Sequence, residues 1–459
     1  MNIHDTIAAV ATPPGRGGVG IVRISGTEAE AIARHLFRTD GPLTSLASHR
    51  LYHGRIHSPE TGEPIDEVLL VLMKAPRSYT GEDVVEIHGH GGPVLLRTLL
   101  AEILGAGARP SEPGEFTRRA FLNGRMDLAQ AEAVADLIDA HSAPAATLAL
   151  GHLEGRLSRA VEGLYARTTD MLVLLEAAID FGEEGETALD AGALAARFGE
   201  ILEDLRTLLG TYAAGRVRRE GFRVVITGRP NVGKSSLLNR LLGEERAIVT
   251  PFPGTTRDFI EETLLIEGIP FRLTDTAGIR TPEDAIEQAG VAMVRRRLSH
   301  ADAILLLLDG SMPLTPEDEA LLGEMHGRPT VIAVNKADLP HVLAEDRLHA
   351  FRPLHPPLWI SAKTGEGIDA LKALLYAASC GGEPATRDGA LIGNLRHKLA
   401  LEAAKTHLER GGEALERRVS PEFIALDVRD ALQSLGEITG RTASPEILDK
   451  IFAGFCIGK

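Results

Sequence analysis

Gly228-Arg229-Pro230-Asn231-Val232-Gly233-Lys234-Ser235 is the stretch on which the fold turns. It fits the pattern G-x-x-x-x-G-K-[ST]. The apolar run Val224-Val225-Ile226-Thr227 leads into it, and Leu237-Leu238 follows Ser236. A strand running into a helix is the context that this loop requires. Its glycines let backbone N–H groups turn inward around phosphates. Lys234 is expected to reach the outer phosphates and the Ser235 hydroxyl to bind Mg²⁺. Asn231, Val232, Gly233 and Ser236 complete the phosphate-binding set.

Three further motifs follow in order. Asp275-Thr276-Ala277-Gly278 ends a strand, with Asp275 toward the magnesium shell and the Gly278 N–H toward the γ-phosphate. Asn335-Lys336-Ala337-Asp338 ends the apolar run Val331 to Val334. A carboxylate at Asp338 can accept from both N1–H and N2–H₂ of guanine, a donor pair that adenine lacks. Ser361-Ala362-Lys363 ends a last strand and supports the base. The set points to GTP rather than ATP and is similar to the translation-factor branch of the P-loop GTPases. Thr250 to Asp258 falls in the switch I position, where Thr255 and Thr256 belong to the nucleotide site and Thr256 is the natural second Mg²⁺ ligand.

Ile279 stands where Ras-like enzymes carry a water-orienting Gln. An apolar side chain cannot do that work. Asn231 offers a hard oxygen beside the phosphates. With switch I carbonyls it either completes a site for a monovalent cation, K⁺ in the place of an arginine finger, or simply caps the loop. Glu283, Asp284 and Glu287 are the acids available to position water.

The chain has 459 residues, 44% of them hydrophobic, so two to four domains are expected. With 49 basic and 64 acidic residues its net charge is −15, which argues against a broad nucleic-acid-coating surface. Two short basic runs, Arg216/Arg218/Arg219 and Arg295-Arg296-Arg297, are read as solvated helix faces or as local RNA contacts. Two cysteines, Cys380 and Cys456, are too few for a disulfide framework. No signal-peptide pattern opens the chain, and the apolar run Ala303 to Leu308 is far short of the ~20 residues that span a bilayer. A cytoplasmic protein with no membrane span is expected.

Texture along the chain predicts a multidomain protein. Residues 1–122 mix short strands, such as Gly20 to Ile24 and Val68 to Leu72, with Gly/Pro-rich loops, an α+β pattern. Residues 123–220 carry long amphipathic helices; Val161 to Ile179 and Phe198 to Tyr212 keep apolar residues at helical spacing. Residues 221–382 alternate strand and helix, as a doubly wound α/β domain does. Residues 383–459 return to helix. Helices on both sides of an α/β unit imply one helical bundle domain with the P-loop domain inserted into it.

Outside the nucleotide motifs stand Ala11 to Gly18, Tyr79 to Asp83, Gly89 to Pro93, Pro113 to Thr117, Ala120 to Asn123 and the terminal Phe455-Cys456-Ile457-Gly458-Lys459. With Gly228 to Ser236 and Gly254 to Asp258, they make the whole chain resemble the MnmE (TrmE) family of tRNA-modification GTPases. The resemblance implies a folate-binding-like N-terminal domain that pairs two chains into a homodimer. It implies a 5-formyl- or 5,10-methylene-tetrahydrofolate site at Arg23, Glu86, Arg125 and Lys459, with Arg125 where the family usually has Lys. It implies K⁺ at Asn231, Thr250, Phe252 and Thr255, and Glu287 as the acid that orients water. Cys456, in the terminal C-x-G-K motif, is implied to face the folate, either as a reacting thiol or as a packing group. Together with a flavin-dependent partner subunit, such a chain would add an aminomethyl or carboxymethylaminomethyl group to C5 of the wobble uridine of certain tRNAs. A ribosome-assembly GTPase is the rival reading; the flanking N-terminal and C-terminal motifs argue against it.

Overall fold

Val68, Leu70 and Leu72 are buried while Leu69 between them is 41% exposed, the period of a strand with one face in a core. A computed structural model describes residues 5–41, 45–181, 190–245, 261–275, 301–325, 327–344, 348, 355–379 and 389–459. The chain divides into two units. The first is Met1–Ala135, Leu153–Tyr165 and Leu432–Lys459; the second is Asp136–His152 and Ala166–Ala431.

The first unit is built on a seven-stranded sheet of β1 (Ile7–Val10), β2 (Gly17–Ser25), β3 (Phe37–Arg38), β4 (Leu51–His57), β5 (Pro64–Met73), β6 (Val84–Gly91) and β7 (Arg109–Pro110), in the order β3-β4-β5-β6-β2-β1-β7. All neighbours are antiparallel except β1 and β7. Helices α1 (Ala29–Leu36) and α2 (Pro93–Gly105) cover one face. Ile32, Leu36, Leu99 and Ile103 join Val22, Ile24, Leu70 and Ile87 in one core. The alternation that buries Val22 and Ile24 puts Arg23 on the other face, and the register sets it directly opposite Glu86.

A charged cluster anchors α3 (Glu115–Leu122). Arg109 pairs with Asp5 and Glu115, and Arg119 with Asp5, Glu82 and Glu115. Burial opposes the charge on Glu115, yet the hydrogen bonds from Arg109, the Glu112 N–H and Arg119 hold its carboxyl below the usual range. Phe452 of α14 (Pro445–Ala453) and the following Phe455 pack with Leu128, Ala131 and Val134 of α4 (Leu128–Ile138).

In the second unit a six-stranded sheet runs β13-β12-β11-β8-β10-β9, from β8 (Phe222–Thr227), β9 (Glu261–Ile266), β10 (Ile269–Asp275), β11 (Ala303–Asp309), β12 (Thr330–Asn335) and β13 (Leu358–Trp359). All neighbours are parallel except β9 and β10. Every residue of β11 is buried, as a central strand covered on both faces must be. The expected inserted α/β domain is therefore present. Thr211 Oγ1 accepts from the Ile392 N–H at 3.1 Å, and a Cβ on Gly215 would overlap the Ile392 carbonyl. The chain entering this sheet and the chain leaving it thus pass in contact, the geometry that lets one domain sit inside another.

The helices of this unit include α7 (Ala191–Gly210), α8 (Tyr212–Glu220) and α12 (Leu395–Glu416). The Phe198 ring of α7 lies against Gly411 of α12. The apolar spacing from Phe198 to Tyr212 predicts one continuous helix; the structure breaks it at Thr211. The Thr211 hydroxyl donates to the Leu208 carbonyl at 2.7 Å while accepting from Ile392, a tertiary tie that spacing does not reveal. Two of the arginines in the first basic run are structural clamps. Arg216 forks onto Asp302 and Arg219 onto Asp136. The second run lies outside the described residues. Among the described residues no helix is long and apolar enough to cross a membrane.

His152, at the end of α5 (Ala143–Leu153), is buried and donates from Nε2 to the Leu391 carbonyl at 2.6 Å. Burial pulls its pKa below the ordinary histidine value, against the pull of that hydrogen bond. The unfolded chain therefore takes up a proton that the folded chain resists. Stability in place above about pH 6.5 erodes as pH falls below it. The melting temperature should drop more steeply with acidification in the wild type than in His152→Gln; parallel curves would remove His152 as the cause.

Candidate functional site

The phosphate loop joins β8 to α9 (Lys234–Glu245). Asn231 and Gly233 both have positive φ, 64° and 103°, and Asn is one of the few side-chain residues that tolerates this region. Gly233 has a second reason to be Gly, since a Cβ there would overlap Asn335 Nδ2. Lys234 is buried, and its Nζ donates to the Gly228 carbonyl at 2.7 Å and the Arg229 carbonyl at 2.8 Å. The loop is thus wrapped around its own ammonium group. Val232 is buried, whereas Asn231, Ser235 and Ser236 are exposed on the loop side.

Asn335 ends β12 and braces two loops at once. Its Nδ2 donates to the Val232 carbonyl at 2.7 Å, and its Oδ1 accepts from the Ala362 N–H at 2.9 Å. Phosphate loop, base motif and Ser361-Ala362-Lys363 loop are therefore held by one buried amide. Asp338 Oδ1 accepts from Ser361 Oγ at 2.6 Å, and this hydrogen bond holds its carboxyl below the usual range. An ionised Asp338 is what two guanine donors require. Lys336 has φ 69° and donates to Asp309 Oδ2 at 2.6 Å. Arg240 of α9 reaches the carbonyls of Ala362 and Lys363.

Asp275 is the last residue of β10, one strand from the phosphate loop, its Cα paired with Ile226 of β8. Thr250, Phe252, Thr255, Thr256, Thr276, Ala277, Gly278 and Glu287 lie outside the described residues.

A second cluster forms on the face of the N-terminal sheet opposite α1 and α2, beside Phe116 and Tyr79. Arg23 donates from Nε to Glu86 Oε1 at 2.9 Å, with its Nη2 at 2.8 Å from the same oxygen. The guanidinium carbon is 4.9 Å from the centre of the Tyr79 ring and 5.6 Å from that of Phe116. Lys459 Nζ lies 5.8 Å from the Tyr79 centre. Burial first, and Arg23 second, depress the lysine pKa, with Glu86 opposing. The structure thus brings Arg23, Glu86 and Lys459 together although they come from both ends of the chain. Arg125 is exposed and donates from Nε to the carbonyl of Ser78, the residue before Tyr79. Cys456 is exposed, and its carbonyl accepts from the Gly114 N–H at 3.4 Å.

Sequence reasoning assigned no role to Tyr79, Phe116, Asp309 or Arg240. The first two lie within quoted motifs, and an aromatic residue in a Gly/Pro-punctuated stretch was the available signal. Asp309 and Arg240 act on loops distant in sequence, so no local pattern marks them.

A mostly parallel sheet with a phosphate loop after β8, a guanine-type motif after β12 and a supporting loop after β13 defines a P-loop GTPase. Two family descriptions match the chain: "GTP-binding protein TrmE N-terminus" over residues 6–125 and "MnmE helical domain" over residues 128–456. The chain belongs to the MnmE (TrmE) family. A relative from Syntrophus aciditrophicus, described as a tRNA modification GTPase, is 50% identical over 460 residues covering all of both chains. One from Heliobacterium modesticaldum with the same description is 48% identical, again over all of both chains. Among solved structures, the G domain of the T. maritima FeoB iron transporter covers 34% of this chain and 98% of its own, at 25% identity and a TM-score of 0.27.

Proposed function

We propose that this chain is a homodimeric, K⁺-stimulated GTPase acting on tRNA. With a flavin-dependent partner subunit, it would install an aminomethyl or carboxymethylaminomethyl group at C5 of the wobble uridine. What carries the reading is the presence in one chain of the guanine-type site and the Arg23–Glu86–Lys459 cluster, in a family whose full-length relatives are described as tRNA modification GTPases.

The described residues fit the groups this activity needs. The phosphate loop has a Gly where any Cβ would collide, and a buried Lys234 at its centre. Lys234, Ser235, Ser236 and the backbone of Asn231, Val232 and Gly233 would bind the phosphates. Asn335, Lys336, Asp338, Ser361, Ala362 and Lys363 would hold guanine. Ser235 and Thr256 would ligate Mg²⁺, which supplies charge neutralisation, with Asp275 to Gly278 beside them. Asn231 is exposed on the loop. With Thr250, Phe252 and Thr255 it would hold K⁺, and Glu287 would orient the attacking water. At the second cluster, Tyr79 and Phe116 offer aromatic surface and Lys459 a cation, a donor set that suits a tetrahydrofolate carrying the one-carbon unit; Arg125 and Cys456 would border it. Acting on tRNA would put the protein in the cytoplasm with the tRNA pool.

GTP turnover in KCl against NaCl at equal ionic strength tests the reading. At least ~10-fold stimulation by K⁺ is expected, since a charge in the place of an arginine finger is worth that or more, and Asn231→Ala should abolish the difference. Equal turnover in the two salts would remove the cation and leave an Arg or a protein acting in trans to be sought.

A further inference from the structure

His341 is an exposed histidine just past the guanine-type motif. Its ring lies on the indole of Trp359, with the centres 4.0 Å apart and the planes 20° apart. Its Nε2 donates to the Ala337 carbonyl at 3.2 Å. One side chain thus bears on two segments. Ala337 stands between Lys336 and Asp338, and Trp359 shortly precedes Ser361. The same two segments are joined by the hydrogen bond from Ser361 Oγ to Asp338 and by that from the Ala337 N–H to the Ile360 carbonyl.

Trp359 is placed where such a contact matters. Its strand, β13, is an edge strand of two residues, paired with β12 at Ala333 and Val334. So short a ladder leaves side-chain contacts to fix its position. The indole also packs on Gly310, just past β11, where a Cβ would overlap its ring and the Val334 side chain. The Gly310 N–H donates to the Asn335 carbonyl at 2.8 Å, and its own carbonyl accepts from the Val342 N–H at 2.9 Å. The end of β11, the base motif and the turn that carries His341 therefore meet at one small residue, and Trp359 lies against it.

We propose that His341 is a positioning residue for guanine specificity. By stacking on Trp359 and holding Ala337, it fixes the separation of Asp338 and Ser361, and so the place of the carboxylate that meets the base. The proposal rests on the reading of Asp338 as the guanine acceptor. A carboxylate that accepts from two donors on one edge must keep both oxygens at hydrogen-bond distance and near the base plane. A base with one donor lets the carboxylate shift and still be met. Loosening the loop therefore weakens GTP more than inosine triphosphate, whose base lacks the 2-amino group.

Steady-state turnover of GTP and inosine triphosphate by the full chain tests this. His341→Ala should raise KM for GTP by about 10-fold with kcat unchanged, the worth of one aromatic pair and one neutral hydrogen bond together. KM for inosine triphosphate should rise by only about 3-fold. His341→Phe keeps the stack and loses the donor, and should fall between wild type and His341→Ala. A loss of stability alone would move both nucleotides alike, so the narrowed preference is the decisive reading. Trp359 is the chain's one tryptophan, and its emission without nucleotide should change in His341→Ala. Unchanged KM values, or an equal loss for the two nucleotides, would overturn the proposal. Unchanged emission would remove the stack on which it stands. If the wild type shows no preference for GTP over inosine triphosphate, the reading of Asp338 fails and the specificity role with it, while emission still decides whether His341 lies on Trp359.

Discussion

Asp338→Asn should lower kcat/KM for GTP by about 10³-fold and transfer activity to xanthosine triphosphate. The carboxylate is held by Ser361 Oγ at 2.6 Å, a hydroxyl that also accepts from the Thr364 N–H at 3.1 Å. That bond favours the ionised form, so the group is an acceptor at both oxygens. Guanine presents two donors to it. Asn replaces one acceptor with an NH₂ donor that faces a guanine donor, and two charge-assisted hydrogen bonds become one neutral bond and one repulsion. Xanthine carries a carbonyl where guanine has its amino group, and the amide matches it. Turnover of both nucleotides by one preparation is the measurement. A variant that still prefers GTP would show that Asp338 does not read the base.

Gly233→Ala should abolish nucleotide binding at the loop. The added methyl would overlap Asn335 Nδ2, and φ at this position is 103°. The backbone strain costs about 1–2 kcal/mol. Relief of the overlap requires Asn335 to leave its site, stranding the buried Val232 carbonyl and the Ala362 N–H that it now satisfies. Each stranded group costs about 1–3 kcal/mol. The sum, about 3–8 kcal/mol, corresponds to a loss of about 10²-fold or more in affinity. Fluorescent GTP-analogue binding reads it. The N-terminal sheet belongs to the other compact unit, so binding at the folate site proposed there should be kept. Nucleotide affinity within a few-fold of wild type would show that the Asn335 brace is dispensable.

The nucleotide site was largely legible because its parts are local. The spacing of Gly228, Gly233, Lys234 and Ser235 fixes a turn over a few residues, and the strand before it and the helix after it are visible as apolar periodicity. The α+β, helical and α/β textures were legible for the same reason. Boundaries were less so. Tyr212 continues the helical spacing of Phe198 to Leu209, yet the helix is interrupted at Thr211, whose hydroxyl accepts from Ile392, 181 residues away. The arginine run at Arg216 to Arg219 looked like an open basic face, and only Asp136 and Asp302 reveal it as a pair of clamps.

By itself, then, the sequence determined the class of nucleotide site, the order of its motifs and the family. Tertiary structure alone decided what joins them. Asn335 unites three loops through one amide, and Arg23 meets a carbonyl next to the last residue of the chain. Such contacts depend on which strands pair and where the chain returns. A single amide or guanidinium leaves no periodic trace in sequence, because its partners are chosen by the fold and not by spacing.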